Sequence, residues 1–377
     1  MKIKSVIFRL FVCILVVVMA VFLPSVKLKN DDNFNQIYRA FLGTKSKYHG
    51  ILEVWNIDTF EGGKFSKTSV LNEISKNFQK QNLGLYVMIR NLTEQECLNL
   101  LSSGTFPDLF SCSFGVAEKI KDCVGSFEKV DMQGVDVSAC EAGIVDGKQV
   151  AVPWCKSSYY LISTKERLEK AGKSDTDKLK LSDICLSLDY VKKGKKTDKQ
   201  IYSLEVGCSK YLMPSKALKT YNKEGVKLIS DKAIDENKMS QSSYSAYCNF
   251  VAGNSSVLFG TIRDVFRMEN RVKNGKASDV IYEQVSGFSD LIQFVMISKN
   301  IAQEKRKYAE RFVEFLITSD AQKNVQKSGL LSVIKSDDFV DNNSTMQNIT
   351  PQNFSDYATL NIFISENEIK KLQSFNW

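Results

Sequence analysis

Two carboxylates, Asp58 and Glu61, stand just beyond a β-rich run, Ile51 to Val54, that leads into Trp55. Paired carboxylates first suggest glycoside hydrolysis, which needs two carboxyl groups about 5–9.5 Å apart on either side of the scissile bond. Residues three apart on one turn do not flank a substrate in that way, so no enzymatic activity is expected. The chemistry these groups suit is recognition. Ionised side chains make strong hydrogen bonds to hydroxyl groups, and flat rings pack on the apolar faces of a pyranose. Polar candidates are Asp58, Glu61, Asp108, Ser113, Arg263 and Asp290; aromatic candidates are Trp55, Phe114, Trp154, Tyr159, Tyr160, Tyr247 and Phe288. Asp108 follows Pro107 at a strand entry, which suits a structural role. Tyr159 and Tyr160 are neighbours in a strand and point to opposite faces, so one at most reaches a cleft. Arg263 has two readings, a ligand contact or an ion pair with a carboxylate across the cleft. The ligand set expected is Trp55, Asp58, Glu61, Ser113, Phe114, Trp154, Tyr159, Tyr247, Arg263 and Phe288.

Other chemistries find little support. His49 is the only histidine and no Cys-x-x-Cys pair occurs, so neither a zinc site nor a histidine-based triad is expected. The turn Phe60-Glu61-Gly62-Gly63 lacks the Lys-Ser/Thr of a phosphate-binding loop. No cofactor or metal is expected. Nine cysteines occur, eight of them beyond Cys13; an even number in an exported chain permits disulfides, and scattered buried thiols are the equal alternative.

The elements that must position these residues form two patterns. Helical spacing of Val70, Leu71, Ile74 and Phe78 follows the first strand, with Ser66 or Thr68 as N-cap. A second strand precedes a short helix with a Thr93–Glu96 capping box, and a third strand ends near Phe114. The order β-α-β-α-β argues a parallel α/β sheet. In such sheets ligands sit beyond the carboxyl ends of the strands, where Trp55–Glu61 and Ser111–Gly115 fall. After residue 147 the pattern is strand, proline break, strand and helix. A strand, a tight turn and a helix start follow over Ser255–Asn270, two strands flank Gly287, and a helical stretch carries Tyr308, Phe312, Phe315 and Leu316 on one face.

The chain has 377 residues, long enough for two lobes, and its formal charge of +8 is uneven. Residues 1–29 carry five basic residues and no acid; the rest has 46 basic and 43 acidic residues, a balance that gives little support to nucleic-acid binding. Leu10–Leu23 is an apolar run of fourteen residues after basic ones, short for a span of about 20. Residues 1–29 therefore read as a signal peptide or, counted from Val6 with Arg9 snorkelling, a membrane anchor. Residues 30–47 read as a linker. The expected location is outside the cytoplasm, attached to the membrane through the N-terminus.

Six segments in order carry a resemblance: "LEVWNIDTFEGG", "KNFQKQN", "LLSSGTFPDLFSCSFG", "DGKQVAVPWCKSSYYLISTKERLEKAG", "AGNSSVLFGTIRDV" and "YAERFVEFLITSDAQKNVQKSGLLSV". Together, over roughly residues 50–335, the chain resembles the extracellular solute-binding proteins of ABC importers, in the branch containing maltose-binding protein. The resemblance implies the type II periplasmic-binding-protein fold: two α/β lobes, strands crossing a hinge, and a ligand between the lobes. It implies a monomer that delivers a small solute, a sugar or oligosaccharide, to the transmembrane subunits of a permease. Composition changes and Pro or Gly at "KQVAVPW" and "YEQVSGF" place the first lobe at 48–152 plus 286–319 and the second at 153–285 plus 320–377. On that division Trp55 and Trp154 come from different lobes and close on one ligand. The alternative is an exported surface interaction or sensor module with the same fold and no transported ligand.

Overall fold

The computed structural model describes residues 49–170, 179, 204–206, 209–221, 242–334 and 360–373. The apolar leader, the linker, Cys13, Cys185, Cys208 and most of the tail beyond Ile334 lie outside the described residues. Among the described residues no helix is long and apolar enough to cross a membrane.

In chain order the elements begin with β1 (Gly50–Asn56), α1 (Lys67–Gln81), β2 (Leu85–Asn91), α2 (Glu94–Ser102), β3 (Leu109–Cys112), α3 (Val116–Lys119) and β4 (Val124–Gly125). They continue with α4 (Val137–Ala142), β5 (Ile144–Val145), β6 (Lys148–Gln149), β7 (Ala151–Lys156), β8 (Tyr159–Thr164), α5 (Lys165–Lys170), β9 (Leu204–Val206) and α6 (Pro214–Tyr221). The last are α7 (Ser243–Val251), β10 (Val257–Thr261), α8 (Ile262–Lys273), β11 (Val280–Val285), β12 (Ile292–Ser298), α9 (Gln303–Leu316), α10 (Ser319–Lys327) and α11 (Glu366–Gln373).

Two larger sheets result. The first has the order β2-β1-β3-β12-β4, with β7 also paired to β12; the second has the order β11-β8-β10-β9. β1 and β3 run parallel, as the alternation of strands and helices requires, while β12 is antiparallel to both β3 and β7. Strand β8 is antiparallel to both its neighbours, β10 and β11. One apolar cluster joins Trp55, Phe110 and Phe294 of the first sheet to Tyr159, Leu161 and Phe259 of the second. The opposite face of the second sheet packs Tyr160, Ile162 and Leu258 against Phe250, Val265 and Phe266 of α7 and α8. This is the period-2 alternation of a strand covered on both faces. Each fully buried Leu, Ile or Phe contributes about 1.5–3 kcal/mol of transfer free energy.

By contacts, residues 49–51 with 76–86 form a small unit and the other described residues a large one. In the small unit the Gly50 N–H donates to Gly84 O at 3.1 Å. Gly84 has φ 88°, and a Cβ there would come within 2.2 Å of His49 Nδ1, so glycine is required beneath that ring.

Local signals explain the element ends. Ser66 caps α1 by accepting from the Ser69 N–H at 3.2 Å. Thr93 and Glu96 form the full capping box of α2. Pro153 does not break its strand. β7 runs through it, and the register slips by one residue between Gln293 and Phe294, the residue that pairs with Pro153. A proline has no N–H for the ladder, and a bulge absorbs the missing bond. No turn separates β10 from α8: Thr261 ends the strand and its N–H donates to Asp264 Oδ2 at 3.0 Å. The helical stretch from 303 is two helices, and the face it buries is Ala309, Phe312, Val313 and Leu316, with Tyr308 and Phe315 half-buried. Gln322 on α10 ties the end of this pair to β7, donating to Trp154 O at 2.8 Å and accepting from the Val333 N–H at 2.9 Å.

Candidate functional site

The loop between β1 and α1 is built by close approaches. The Ile57 N–H donates to Ser111 O at 2.8 Å, continuing the β1–β3 pairing beyond the strand end. The Lys64 N–H then donates to Ser328 O at 2.6 Å, and a Cβ on Gly63 would lie 2.3 Å from the Gly329 carbonyl carbon. Arg263, on the first turn of α8, donates from one guanidinium nitrogen to the carbonyls of Gly63 and Lys64. One turn further on, Arg267 grips the Glu61 carboxylate at 2.6 and 2.8 Å and also donates to Asp264 Oδ1 at 2.9 Å. Ser209 adds a bond to Thr59 O at 2.9 Å. The loop is thereby fixed to the α8 side of the molecule.

A cavity of about 390 Å³ opens against this loop. Its walls are Asp58 to Gly62 with Phe65 and Ser66 on one side, and Ser209, Ser242, Ser243, Tyr244 and Arg263 on the other. Phe65 is 58% and Tyr244 56% exposed. Tyr244 stacks on Tyr247 with centroids 6.2 Å apart, and the Arg267 guanidinium lies over both rings.

Beneath the cavity floor lies a buried polar network. The Asn56 amide donates to Asp58 Oδ1 at 3.0 Å and accepts from Ser111 Oγ at 2.9 Å. Lys67, fully buried, donates to Gln293 Oε1 at 2.9 Å, stands 3.4 Å from Asp58 Oδ1 and lies over the Phe60 ring. Burial pushes the Lys67 pKa below its ordinary value, and the Asp58 charge opposes that shift. Burial likewise pushes Asp264 up to about 6, against the Thr261 N–H and Arg267, which favour its charged form.

Of the ten residues expected from the sequence, the structure brings three to the cavity: Asp58, Glu61 and Arg263. Arg263 meets backbone carbonyls; the ion pair with a loop carboxylate, Glu61, belongs to Arg267. Tyr247 is half-buried behind Tyr244. The other six are core residues. Trp55 is fully buried: its Nε1 donates to Glu53 at 2.7 Å and its ring meets Phe110 edge-on. Asn56, one residue on, takes the opposite face and reaches the network under the cavity, so Trp55 points away. Trp154 is fully buried, with its Nε1 donating to Ser111 Oγ at 3.2 Å. Phe114 packs edge-on against Phe294, and Phe288 and Ser113 are buried. Tyr159 stacks on Phe259 and donates to Asp290 at 2.8 Å, and Tyr160 is buried on the opposite face of its sheet. Asp108 accepts from the Glu53 N–H and pairs with Lys305 at 2.9 Å, a structural role as expected. The six described cysteines are free thiols.

The two exposed aromatic residues at the cavity, Phe65 and Tyr244, escape sequence reasoning. Their signal was there: Phe65 directly precedes Ser66, which caps α1, and Tyr244 stands two residues after Ser242, which caps α7, both in polar stretches where an apolar ring has no core to fill.

The chain matches no protein-family model and no curated protein. Solved structures do match. The cyclic α-maltosyl-1,6-maltose binding protein from Arthrobacter globiformis is 13% identical with a TM-score of 0.59, over 86% of this chain and 94% of that one. The GacH receptor of Streptomyces glaucescens, solved unliganded and with acarbose, is 15% identical with a TM-score of 0.53, over 76% and 81%. An ABC substrate-binding protein of Listeria monocytogenes in complex with cycloalternan is 14% identical with a TM-score of 0.51, over 78% and 82%. The chain has the two-lobed fold of these binding proteins. At such identities the likeness is one of fold, and what the cleft accepts is a question for its own residues.

Proposed function

We propose that the chain is an extracytoplasmic solute-binding protein that captures a small, uncharged, polyhydroxylated solute, a carbohydrate, and delivers it to an ABC-type permease. The observation that carries this reading is the cavity itself. It combines two exposed aromatic residues, Phe65 and Tyr244, with the side chains of Asp58, Glu61 and Arg263. Rings and charged hydrogen-bonding groups together suit a pyranose better than an apolar or an ionic ligand. The charges in and behind the walls also balance: Asp58 faces Lys67, Glu61 and Asp264 face Arg267, and Arg263 completes three cations against three carboxylates. A site so balanced leaves no net charge for an ionic ligand to neutralise. Binding proteins of this fold use hinge closure around the ligand, and the solved neighbours are sugar binders by their own descriptions.

A thermal-shift scan tests the reading. Maltose, cellobiose, xylobiose and lactose are compared with glucuronate, glucosamine and spermidine. A sugar present at 100 times its dissociation constant stabilises the fold by about 2.7 kcal/mol. Saturable shifts with a neutral sugar and none with the ions support the reading. Shifts with the ions alone contradict it.

The second reading, an exported sensor or interaction module, has one observation in its favour. On the lobe division expected from the sequence, the chain's own side chains join the two lobes, through Arg267–Glu61 and through Tyr211 and Lys210 on Glu94. Complete indifference to every solute in the scan favours this reading.

A further inference from the structure

We propose that Lys67 is a positioning residue of the cleft: its buried ammonium fixes the Asp58 carboxylate in the orientation that a hydroxyl-bearing ligand meets. The inference rests on the reading of the cavity as a solute site.

Lys67 has no exposed surface and lies at the N-terminus of α1, pointing inward beneath the loop whose residues wall the cavity. A fully buried lysine is costly unless it is paired and hydrogen-bonded. Three side chains surround this one. Gln293 on β12 accepts from it at 2.9 Å, the Phe60 ring lies 3.4 Å from Nζ, and Asp58 Oδ1 stands 3.4 Å away. The other titratable groups facing it are the thiols of Cys112 on β3 and Cys155 on β7. Burial pushes both thiols far above the ordinary thiol range, so they stay neutral and Asp58 is the anion that Lys67 faces.

Asp58, in contrast, is exposed and lines the cavity. Its Oδ1 is taken by Lys67 and the Asn56 amide; Oδ2 has no hydrogen-bond partner among the described residues. The carboxylate is thus held by one oxygen from below and offers the other to the cavity. Lys67 cannot touch a ligand, since Asp58 and Phe60 stand between it and the cavity. It acts through Asp58, by fixing its rotamer and by cancelling a charge that would otherwise favour a cation.

Two measurements test this. In the first, the Lys67 Cε resonance is followed through a pH titration of the full chain, in wild type and in Asp58→Asn. The expected result is a titration displaced to lower pH in Asp58→Asn, because the opposing charge that raises the Lys67 pKa is gone. Superimposable titrations overturn the proposal whether or not any sugar binds. In the second, the best disaccharide of the scan serves as probe for wild type, Lys67→Met and Lys67→Arg. Lys67→Met is expected to weaken the disaccharide at least tenfold, to gain affinity for spermidine, and to abolish the loss of disaccharide affinity that wild type shows as Lys67 deprotonates at alkaline pH. Lys67→Arg is expected to recover part of the disaccharide affinity. Disaccharide affinity and pH profile unchanged in Lys67→Met, with an intact fold by circular dichroism, overturn the proposal. If wild type binds no disaccharide at all, the solute reading fails by itself, and the resonance titration still decides the Lys67–Asp58 coupling.

Discussion

At Tyr244 and Phe65 the rings are exposed, whereas both described tryptophans are fully buried. The two kinds of residue therefore fail differently when truncated. Tyr244→Ala and Phe65→Ala remove a stacking face of about 0.5–1.5 kcal/mol each. A three- to tenfold loss of sugar affinity by titration calorimetry is expected, with the melting temperature within two or three degrees of wild type by the small effect of surface changes. Trp154→Ala instead leaves a cavity in the core and costs about 3–5 kcal/mol, read from urea denaturation. An unaltered urea midpoint in Trp154→Ala would show that its indole is not packed as described. Sequence reasoning reached the polar half of the candidate cleft and missed the aromatic half for a physical reason. Asp58 and Glu61 lie in a loop, where an ionised group must find water or a partner. Trp55 and Trp154 lie in strands, where the residue type gives the size of a ring but not the face it takes.

The loop and the segments that hold it define the next scale. Gly63 meets the backbone of Ser328 and Gly329 at 2.3–2.4 Å from where a Cβ would stand, with no flexible side chain to yield. Gly63→Ala should push the loop off this seat and cost about 1–3 kcal/mol, the range for overpacking. The sugar affinity should fall with it, because Asp58 and Glu61 ride on the same loop; a variant with wild-type stability and affinity would show that the loop has another seat. Between β11 and β12, Asp290 is fully buried, accepting from Tyr159 Oη and the Met213 N–H at 2.8 Å each. Burial pushes its pKa up to about 6, and those two donors pull the other way. The unfolded carboxyl titrates near 3.9. Between those values the folded chain binds more protons than the unfolded one, so this group's stabilising contribution is complete below about pH 4 and is lost as pH rises through about 6. Asp264, pushed up to about 6, adds a slope of the same sign. In Asp290→Asn the melting temperature should fall less steeply, or rise more steeply, between pH 4 and pH 6 than in wild type; identical slopes would contradict the burial argument. Element ends were legible where a side chain makes the end, as at Ser66 and Thr93. They were not legible at Pro153, because a bulge is a property of two strands and its partner, Phe294, lies 141 residues away in sequence.

For the whole molecule, the order of helices and strands carried the fold. Strand β12 returns between β3 and β7, a long-range pairing that local propensity does not carry. The charge balance around the cavity was equally hidden, since nothing local in the sequence marks Arg267 and Lys67 as the partners that the fold sets against Glu61 and Asp58. The central claim is that a neutral sugar sits against the β1–α1 loop, between Phe65 and Tyr244. A crystal structure of the chain with the disaccharide that gives the largest thermal shift tests it most directly. The account predicts the sugar in this cavity, a ring face on Tyr244 or Phe65, and a hydroxyl on Asp58 Oδ2. A sugar bound anywhere else on the molecule, with Asp58 and Tyr244 untouched, would contradict it.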